Sequence, residues 1–186
     1  TSKVSDMSSM FCDCSGLTSL DLSHLDTRNV TNMSSMFSGC SGLTALDLSP
    51  LNTSKVSNMS SMFSRCSGLT SLDLASMDTG KVTNMSSMFR GCSSLTNLDF
   101  SLLDTQKVTD MGYMFCDCSS LTALNLTYMN TQKVTEMVWI FKDCSKLINL
   151  SLGEKFAFVG SNYYLSEGTW YASDGTTYTS NEKSCT

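Results

Sequence analysis

The stretch that decides the fold is Val30–Leu48, which reads V-T-N-M-S-S-M-F-S-G-C-S-G-L-T-A-L-D-L. The spacing of its apolar residues changes along its length. Val30, Met33 and Phe37 recur at steps of three and four, which is the helical period. The Leu46–Leu48 segment alternates apolar and polar residues, which is the strand period of two. The stretch therefore predicts a short helix or 3₁₀ segment followed by a strand.

The same pattern recurs every 26 residues, six times in all. Valine, methionine, phenylalanine, cysteine and two leucine positions keep their residue type in every unit, and a third leucine position changes once, to Phe100. The phenylalanine column comprises Phe11, Phe37, Phe63, Phe89, Phe115 and Phe141. The cysteine column comprises Cys14, Cys40, Cys66, Cys92, Cys118 and Cys144. A repeat of constant length predicts stacked units, with each residue above its counterpart in the next unit.

A single unit cannot bury its apolar residues, whereas stacked units can. The predicted fold class is therefore a repeat solenoid of the α/β type. One parallel sheet would form one face, with strands about 4.8 Å apart, and short helices or 3₁₀ segments would form the other. Thr31 and its Ser or Thr counterparts are expected to cap the helices, and Asp26-Thr27 is expected to form a turn after the strand.

The chain divides into two parts by composition. Residues 1–152 hold the six 26-residue units, and residues 153–186 form a C-terminal, aromatic-rich cap. The cap aromatics are Phe156, Phe158, Tyr163, Tyr164, Trp170, Tyr171 and Tyr178. Because terminal units of a repeat array must shield the core, we expect the cap to cover the last unit. Binding of sugar faces by exposed Trp and Tyr side chains is the alternative.

The repeat resembles a known family. The pattern F-x-x-C-x-x-L-x-x-L-x-L, as in Phe37–Leu48, resembles the BspA-like leucine-rich repeat of bacterial surface proteins. The preceding D-T-x-x-V-T-x-M-x-x-M-F resembles a related repeat first catalogued in mycoplasma surface proteins of unknown function. The resemblance implies a leucine-rich-repeat-like fold and a bacterial cell-surface or extracellular location. It implies adhesion to a protein or glycan on a host or neighbouring cell surface, and no reaction.

Charge and hydropathy exclude other classes of function. The net charge of −5 argues against a nucleic-acid binder, which needs a basic face. No apolar run reaches the roughly 18 residues of a transmembrane helix, so no membrane insertion is expected. The sequence starts at a repeat boundary without a signal-peptide pattern, so we expect a piece of a longer array or surface protein. An uncovered first unit would favour end-to-end self-association.

The best candidate for a binding site is a column of polar residues between the two strand leucines, which must face away from the core. We call it the acidic row, and it consists of Asp21, Asp47, Asp73, Asp99 and Asn125. A cationic or sugar-bearing partner would dock on this face, and a weak Ca²⁺ ladder is a further option. The alternative is that the row serves only solubility. Its low variation among units favours a second class of function, a rigid spacer that displays other domains.

The nine cysteines cannot all pair within one chain. The cysteine column points inward and is expected to hold buried, reduced thiols that pack as small apolar groups. Neighbouring column members would lie about 4.8 Å apart, which is too far for the Cβ spacing of about 3.8 Å in a disulfide. Cys12 and Cys116 lie outside the column and are expected to be exposed. Cys185 either pairs with Cys116 or stays free.

Nothing in the sequence indicates a catalytic centre, a cofactor site or a metal site. His24 is the only histidine, and no G-x-S-x-G motif is present. We therefore expect a chain that is not an enzyme and needs no cofactor. The recurring lysines after the Asp-Thr turn are expected to pair loosely with Asp26, Asp78 and Asp104.

Overall fold

The computed structural model describes residues 1–165, 168–171, 177–181 and 184–185. Its strands are β1 (Ala123–Leu126), β2 (Asn149–Leu152), β3 (Gly168–Tyr171), β4 (Thr177–Asn181) and β5 (Ser184–Cys185). β1 and β2 form a parallel pair, with Leu124 opposite Leu150. β3, β4 and β5 form an antiparallel sheet in that order. The described residues contain no helix.

Consecutive units are joined by a backbone ladder between residues about 26 positions apart. In the second unit, the N–H groups of Met33, Ser35 and Phe37 donate to carbonyl groups of the third unit at 3.0, 2.8 and 2.9 Å. The same bonds recur between each pair of neighbouring units. Isolated parallel bridges accompany them, between Asp6 and Asn32, Asn32 and Asn58, Asn58 and Asn84, Asn84 and Asp110, and Asp110 and Glu136. The units therefore lie side by side in register, as the constant repeat length predicts.

The segment expected to form a short helix or 3₁₀ segment consists of turns with hydrogen bonds between residues three positions apart. Ser35 and Gly39 have φ angles of 55° and 76°, in the left-handed region, which a right-handed helix cannot contain. Their neighbours close four-residue turns, in which the Met36 N–H donates to the Met33 carbonyl at 3.2 Å. Every second N–H group of this segment, as in Met33, Ser35 and Phe37, thus donates to a carbonyl of the following unit and not to a carbonyl within its own segment. A spacing of three and four fits this arrangement as well as it fits a helix.

Most ladder bonds run in one direction. The N–H groups of Met33, Ser35, Phe37 and Gly39 donate to the following unit, whereas the Thr31 N–H donates to the Ser5 carbonyl of the preceding unit at 2.8 Å. At the end of the array, the N–H groups of Trp139 and Phe141 donate to Asn162 and Tyr163 at 2.8 and 3.0 Å. The segment after residue 153 therefore continues the ladder and supplies its last acceptors.

The core is built around the phenylalanine column. Neighbouring rings are nearly parallel, with centroids 5.6–6.1 Å apart and interplanar angles of 4–10°. Phe100, the one replacement of a strand leucine, packs edge-on between Phe89 and Phe115. Phe158 of the cap segment meets Phe141 edge-on at 6.3 Å. The stack thus ends on an aromatic residue from outside the repeats.

A buried threonine closes each unit. The Thr105 hydroxyl donates to the Asn130 carbonyl at 3.0 Å and accepts the Asn130 N–H at 2.8 Å. Thr27 binds Asn52 in the same way. These threonines are 2% exposed, so both hydrogen bonds are sheltered from water. Thr31, expected to cap a helix, instead donates from its hydroxyl to the Ser5 carbonyl of the preceding unit at 3.2 Å.

The leucine-rich strand segments form less sheet than expected. Among the described units, strands occur at this position only as β1 and β2, and Asp99 adds one isolated bridge to Asn125. A turn follows the second leucine of each segment, as at Ser49-Pro50 after Leu48. Leu46 and Leu48 are nevertheless buried, as the alternation predicts. In the first unit Met10 is 45% exposed and Phe11 is partly exposed, unlike their buried counterparts.

Candidate binding surfaces

The acidic row lies at the ends of the leucine-rich segments, and all five of its residues are exposed. In each, the Oδ1 atom accepts the backbone N–H of the residue two positions later. These distances are 2.8 Å for Asp21, 2.9 Å for Asp47, 2.9 Å for Asp73, 2.8 Å for Asp99 and 3.0 Å for Asn125. The side chains therefore hold a turn, which Asp and Asn do best among the amino acids.

The same turn hydrogen bonds lower the pKa of three residues of the acidic row. The pKa values of Asp21, Asp47 and Asp99 lie below the ordinary range, because the backbone N–H and the hydroxyl of the following Ser stabilise each carboxylate. Asp99 and Asn125 are bridge partners, and Asn125 is in turn opposite Ser151. Asp73 and Asp99 line a shallow depression together with Leu102, which is 69% exposed. The carboxylates of Asp21, Asp47 and Asp99 are thus stabilised in their charged form, and the row faces outward at fixed positions.

Among the described residues, none of the expected pairs between the recurring lysines and Asp26, Asp78 or Asp104 is formed. Asp26 pairs with Arg28 at 2.7 Å, whereas Asp78 and Asp104 accept the N–H groups of Gly80 and Gln106. Lys55 donates to the Asn29 side chain at 2.7 Å. Within the described ranges, the ion pairs beyond Asp26 are Arg90–Asp117 and Lys142–Asp143.

A second surface is a row of three aromatic side chains, Tyr113, Trp139 and Tyr164, which we call the aromatic row. The Tyr113 and Trp139 ring centroids lie 5.2 Å apart at an interplanar angle of 68°. The Trp139 and Tyr164 centroids lie 6.0 Å apart at 80°. Tyr164 is exposed and the other two are partly exposed. The row therefore presents a strip of ring edges and faces to solvent.

Charged side chains border the aromatic row. The Arg90 guanidinium lies 5.5 Å from the Tyr113 centroid, and Lys142 Nζ lies 4.2 Å from the Trp139 centroid. Both are distances at which a cation is attracted to a ring face. Arg90 also contacts Asp117 at 3.6 Å, and Lys142 contacts Asp143 at 4.0 Å. Hydrogen-bond donors and acceptors thus lie beside the rings.

Sequence reasoning missed the aromatic row, because it assigned the functional aromatics to the cap. Tyr113 and Trp139 occupy the column in which earlier units carry Ser9, Ser35, Ser61 and Ser87. All six have φ angles of 55–60°. Such angles cost non-glycine residues about 1–3 kcal/mol each, and the inter-unit ladder imposes them in every unit. The change from Ser to Tyr and Trp in an otherwise constant column was the available signal.

The cysteine column is buried from Cys40 onward, as predicted, while Cys14 is exposed. Each buried thiol donates to the carbonyl of the phenylalanine in the preceding unit, as Cys66 does to Phe37 at 3.0 Å. Burial, followed by the neighbouring thiol, raises the pKa of Cys66 to about 12. Burial also raises the pKa of Cys144 to about 12. These groups are therefore uncharged and hydrogen-bonded inside the stack.

The expectation for the two extra cysteines is wrong in one case. Cys116 is buried, and its pKa is raised to about 11, first by burial and then by Asp117. The thiol donates to the Asp117 carboxylate at 3.4 Å. The Cys116 carbonyl also accepts the Gly91 N–H at 2.8 Å, which holds this residue against the preceding unit. Cys12 is partly exposed, and the side chain of Cys185 lies outside the described part of the chain.

We expect alkylation by iodoacetamide at pH 8 to distinguish these thiols. Cys14 should react in the native chain, whereas Cys66, Cys92 and Cys118 should react only after urea is added, because the thiolate is the reactive form. Peptide mass spectrometry measures the order. Reaction of Cys92 as fast as Cys14 would contradict the buried column.

The same thiols should make stability fall at alkaline pH. Unfolded thiols ionise near pH 9, whereas the pKa of buried Cys66 is about 12. The unfolded state therefore binds fewer protons between these values, and the free energy of unfolding falls as pH rises. Cys66→Ala should remove up to about 1.4 kcal/mol per pH unit from that slope, measured by urea unfolding at pH 7–10.5. Cys14→Ala is the control.

The described structure defines a protein of tandem 26-residue units stacked in register. A family described as "Mycoplasma protein of unknown function, DUF285" matches residues 1–72 and 65–158. Together these matches cover residues 1–158, so the chain belongs to this bacterial repeat family. Comparisons with curated proteins and with solved structures give no significant match.

The described residues contain no group of three or more His, Cys, Asp or Glu side chains arranged to hold a metal ion. No helix within them is long and apolar enough to span a lipid bilayer.

Proposed function

We propose that this chain is a non-enzymatic recognition module on the bacterial cell surface, with a leucine-rich-repeat-like solenoid architecture. It binds a protein or glycan partner through the acidic row. The observation that carries this proposal is the repeated turn bond, which holds each exposed Asp at the same position of successive units. A regular series of fixed charges suits a partner with regularly spaced cations or hydroxyl groups, because complementary charge steers association.

The family supports a surface role only through the resemblance of its repeats to BspA-like proteins. The lack of catalytic motifs agrees with a binding role, since His24 is exposed and remote in sequence from any nucleophile motif. The second candidate is a rigid spacer. It is favoured by the near identity of the units and by the use of each acidic-row residue in its own turn.

A binding screen separates the two candidates. The wild type is tested against mucins, extracellular-matrix proteins and a glycan array, beside a double variant with Asp47→Lys and Asp73→Lys. We expect the affinity of the double variant for its partner to fall at least about tenfold, because the charge at two positions of the acidic row is reversed.

The matched control is the double variant Asp47→Asn and Asp73→Asn, since Asn125 holds the same turn. It removes the two charges and keeps the turn. If this variant is folded but binds its partner more weakly than the wild type, the partner recognises the negative charge itself. Equal binding by all three proteins would exclude the acidic row. Absence of binding to the whole panel would favour the spacer.

A further inference from the structure

We propose that the aromatic row is a second binding site, which takes a neutral, linear oligosaccharide. Tyr113, Trp139 and Tyr164 form its floor, and the charged side chains beside them bind the sugar hydroxyl groups. The site occupies the turn segment of each unit rather than the leucine-rich segment. It therefore does not depend on the acidic row.

The first argument is the departure from the repeat. The column is Ser in the first four units and becomes Tyr113 and Trp139 in the last two, where Tyr164 extends the row from outside the repeats. The backbone conformation is unchanged, with φ angles of 55–57° for the four serines and 56–60° for the two aromatics. The fold therefore does not require large side chains at this position. Their presence on the surface needs another reason, which a ligand provides.

The second argument is rigidity. The Tyr113 N–H donates to Val138 at 2.8 Å, and the Trp139 N–H donates to Asn162 at 2.8 Å. The ring–ring contacts and the two cations then hold the side chains. A surface already ordered before binding loses little freedom when a ligand arrives.

The third argument is shape and charge. The exposed apolar area is narrow, because Arg90 and Lys142 lie over the rings of Tyr113 and Trp139, and Asp117 and Asp143 contact these cations. A sugar chain is similarly narrow, with C–H faces that pack on rings and hydroxyl groups at the rim that both donate and accept. Protein hot spots are instead surrounded by a wider ring of contacts that excludes water.

Carboxylates also argue against an anionic ligand. Besides Asp117 and Asp143, Glu136 lies three residues before Trp139, and its carboxylate accepts the Val138 N–H at 3.0 Å. Single-stranded nucleic acids stack on aromatics but need a groove with net positive charge. A neutral sugar fits a border that carries both signs.

The test uses the whole chain and a panel of neutral hexasaccharides, of β-1,4-linked glucose, β-1,4-linked N-acetylglucosamine and repeating lactosamine. Heparin and single-stranded DNA serve as anionic probes. Binding is followed by calorimetry and by the fluorescence of Trp139, since the other tryptophan, Trp170, is buried. The main variant is Trp139→Ser, which restores the residue of the first four units at an unchanged backbone angle and should fold.

We expect at least one neutral hexasaccharide to bind the wild type, with affinity reduced at least about tenfold in Trp139→Ser. Tyr128→Ser, which removes a 67% exposed aromatic elsewhere, should bind as the wild type does. Preference for heparin or DNA, equal binding by Trp139→Ser, or no binding of any hexasaccharide by the wild type would each overturn the proposal.

Discussion

Replacement of Phe63 by alanine should lower the free energy of unfolding by about 3–5 kcal/mol. Phe63 is fully buried and lies between Phe37 and Phe89, with centroid distances of 5.7 and 5.8 Å. Removing the ring empties a site whose walls are held by ladder bonds above and below. The neighbours cannot collapse into it without breaking those bonds. Urea unfolding, followed by circular dichroism, measures the loss.

Two controls accompany this variant. Tyr128→Ala removes a ring of similar size that is 67% exposed, and it should change stability by less than about 0.5 kcal/mol. Phe11→Ala should cost less than Phe63→Ala, because Phe11 is partly exposed. A loss below 1 kcal/mol for Phe63→Ala would contradict a continuous ring stack as the source of stability.

The position of Phe63 adds a second expected effect. Because each unit contacts mainly its neighbours, a weak interface in the middle divides the array. The units before and after residue 63 should then unfold less cooperatively, which lowers the dependence of the free energy on urea concentration. Phe141→Ala, near the end of the stack, should leave that dependence closer to the wild-type value.

The sequence was sufficient to predict the buried columns. Val30, Met33, Phe37 and Cys40 are fully buried, and their counterparts recur every 26 residues. Constant repeat length is a property of stacked contacts, so it identifies the core whatever the local backbone conformation. The outward position of the acidic row follows equally well, because it lies between two buried leucines.

The local conformation was not predictable by the same reasoning. Met33, Met36 and Phe37 have a helical spacing, yet their N–H groups divide between turns and a neighbouring unit. The partner of Met33 is Asn58, 25 residues away, and no local pattern contains that information. The left-handed φ of Ser35 is a consequence of this ladder, since serine itself does not favour it.

The candidate sites show the same division. The row of Asp residues was recognisable from the sequence. The hydrogen bond that the Ser49 N–H donates to Asp47 Oδ1 was not, so only the structure shows that these Asp side chains stabilise turns. Cys116 was expected at the surface because its counterparts are polar. The ladder bond to its carbonyl also reaches this position in other units, where Ser64 is also buried but Arg90 and Lys142 are partly exposed. Trp139 and Tyr113 became a row only when their rings were seen in contact.

Gly153→Ala should disrupt the junction between the repeats and the cap segment, at a cost of about 3 kcal/mol. Gly153 is buried, and an added Cβ would overlap the Thr127 carbonyl oxygen and approach the Thr127 carbonyl carbon to 2.7 Å. These are backbone atoms, so no side-chain rotation relieves the clash. Relief requires moving residue 153, whose carbonyl accepts the Phe156 N–H at 3.0 Å.

The matched control is Gly16→Ala, since no atom lies within 4 Å of the added Cβ there. This variant should be neutral or slightly stabilised, because alanine restricts the unfolded chain more than glycine does. Thermal unfolding compares the two variants, and a red shift in tryptophan fluorescence would report exposure of buried Trp170 in Gly153→Ala. Equal melting temperatures would mean that the chain around residue 153 adapts freely. Phe158 would then contribute little to holding the end of the phenylalanine column, despite its contact with Phe141.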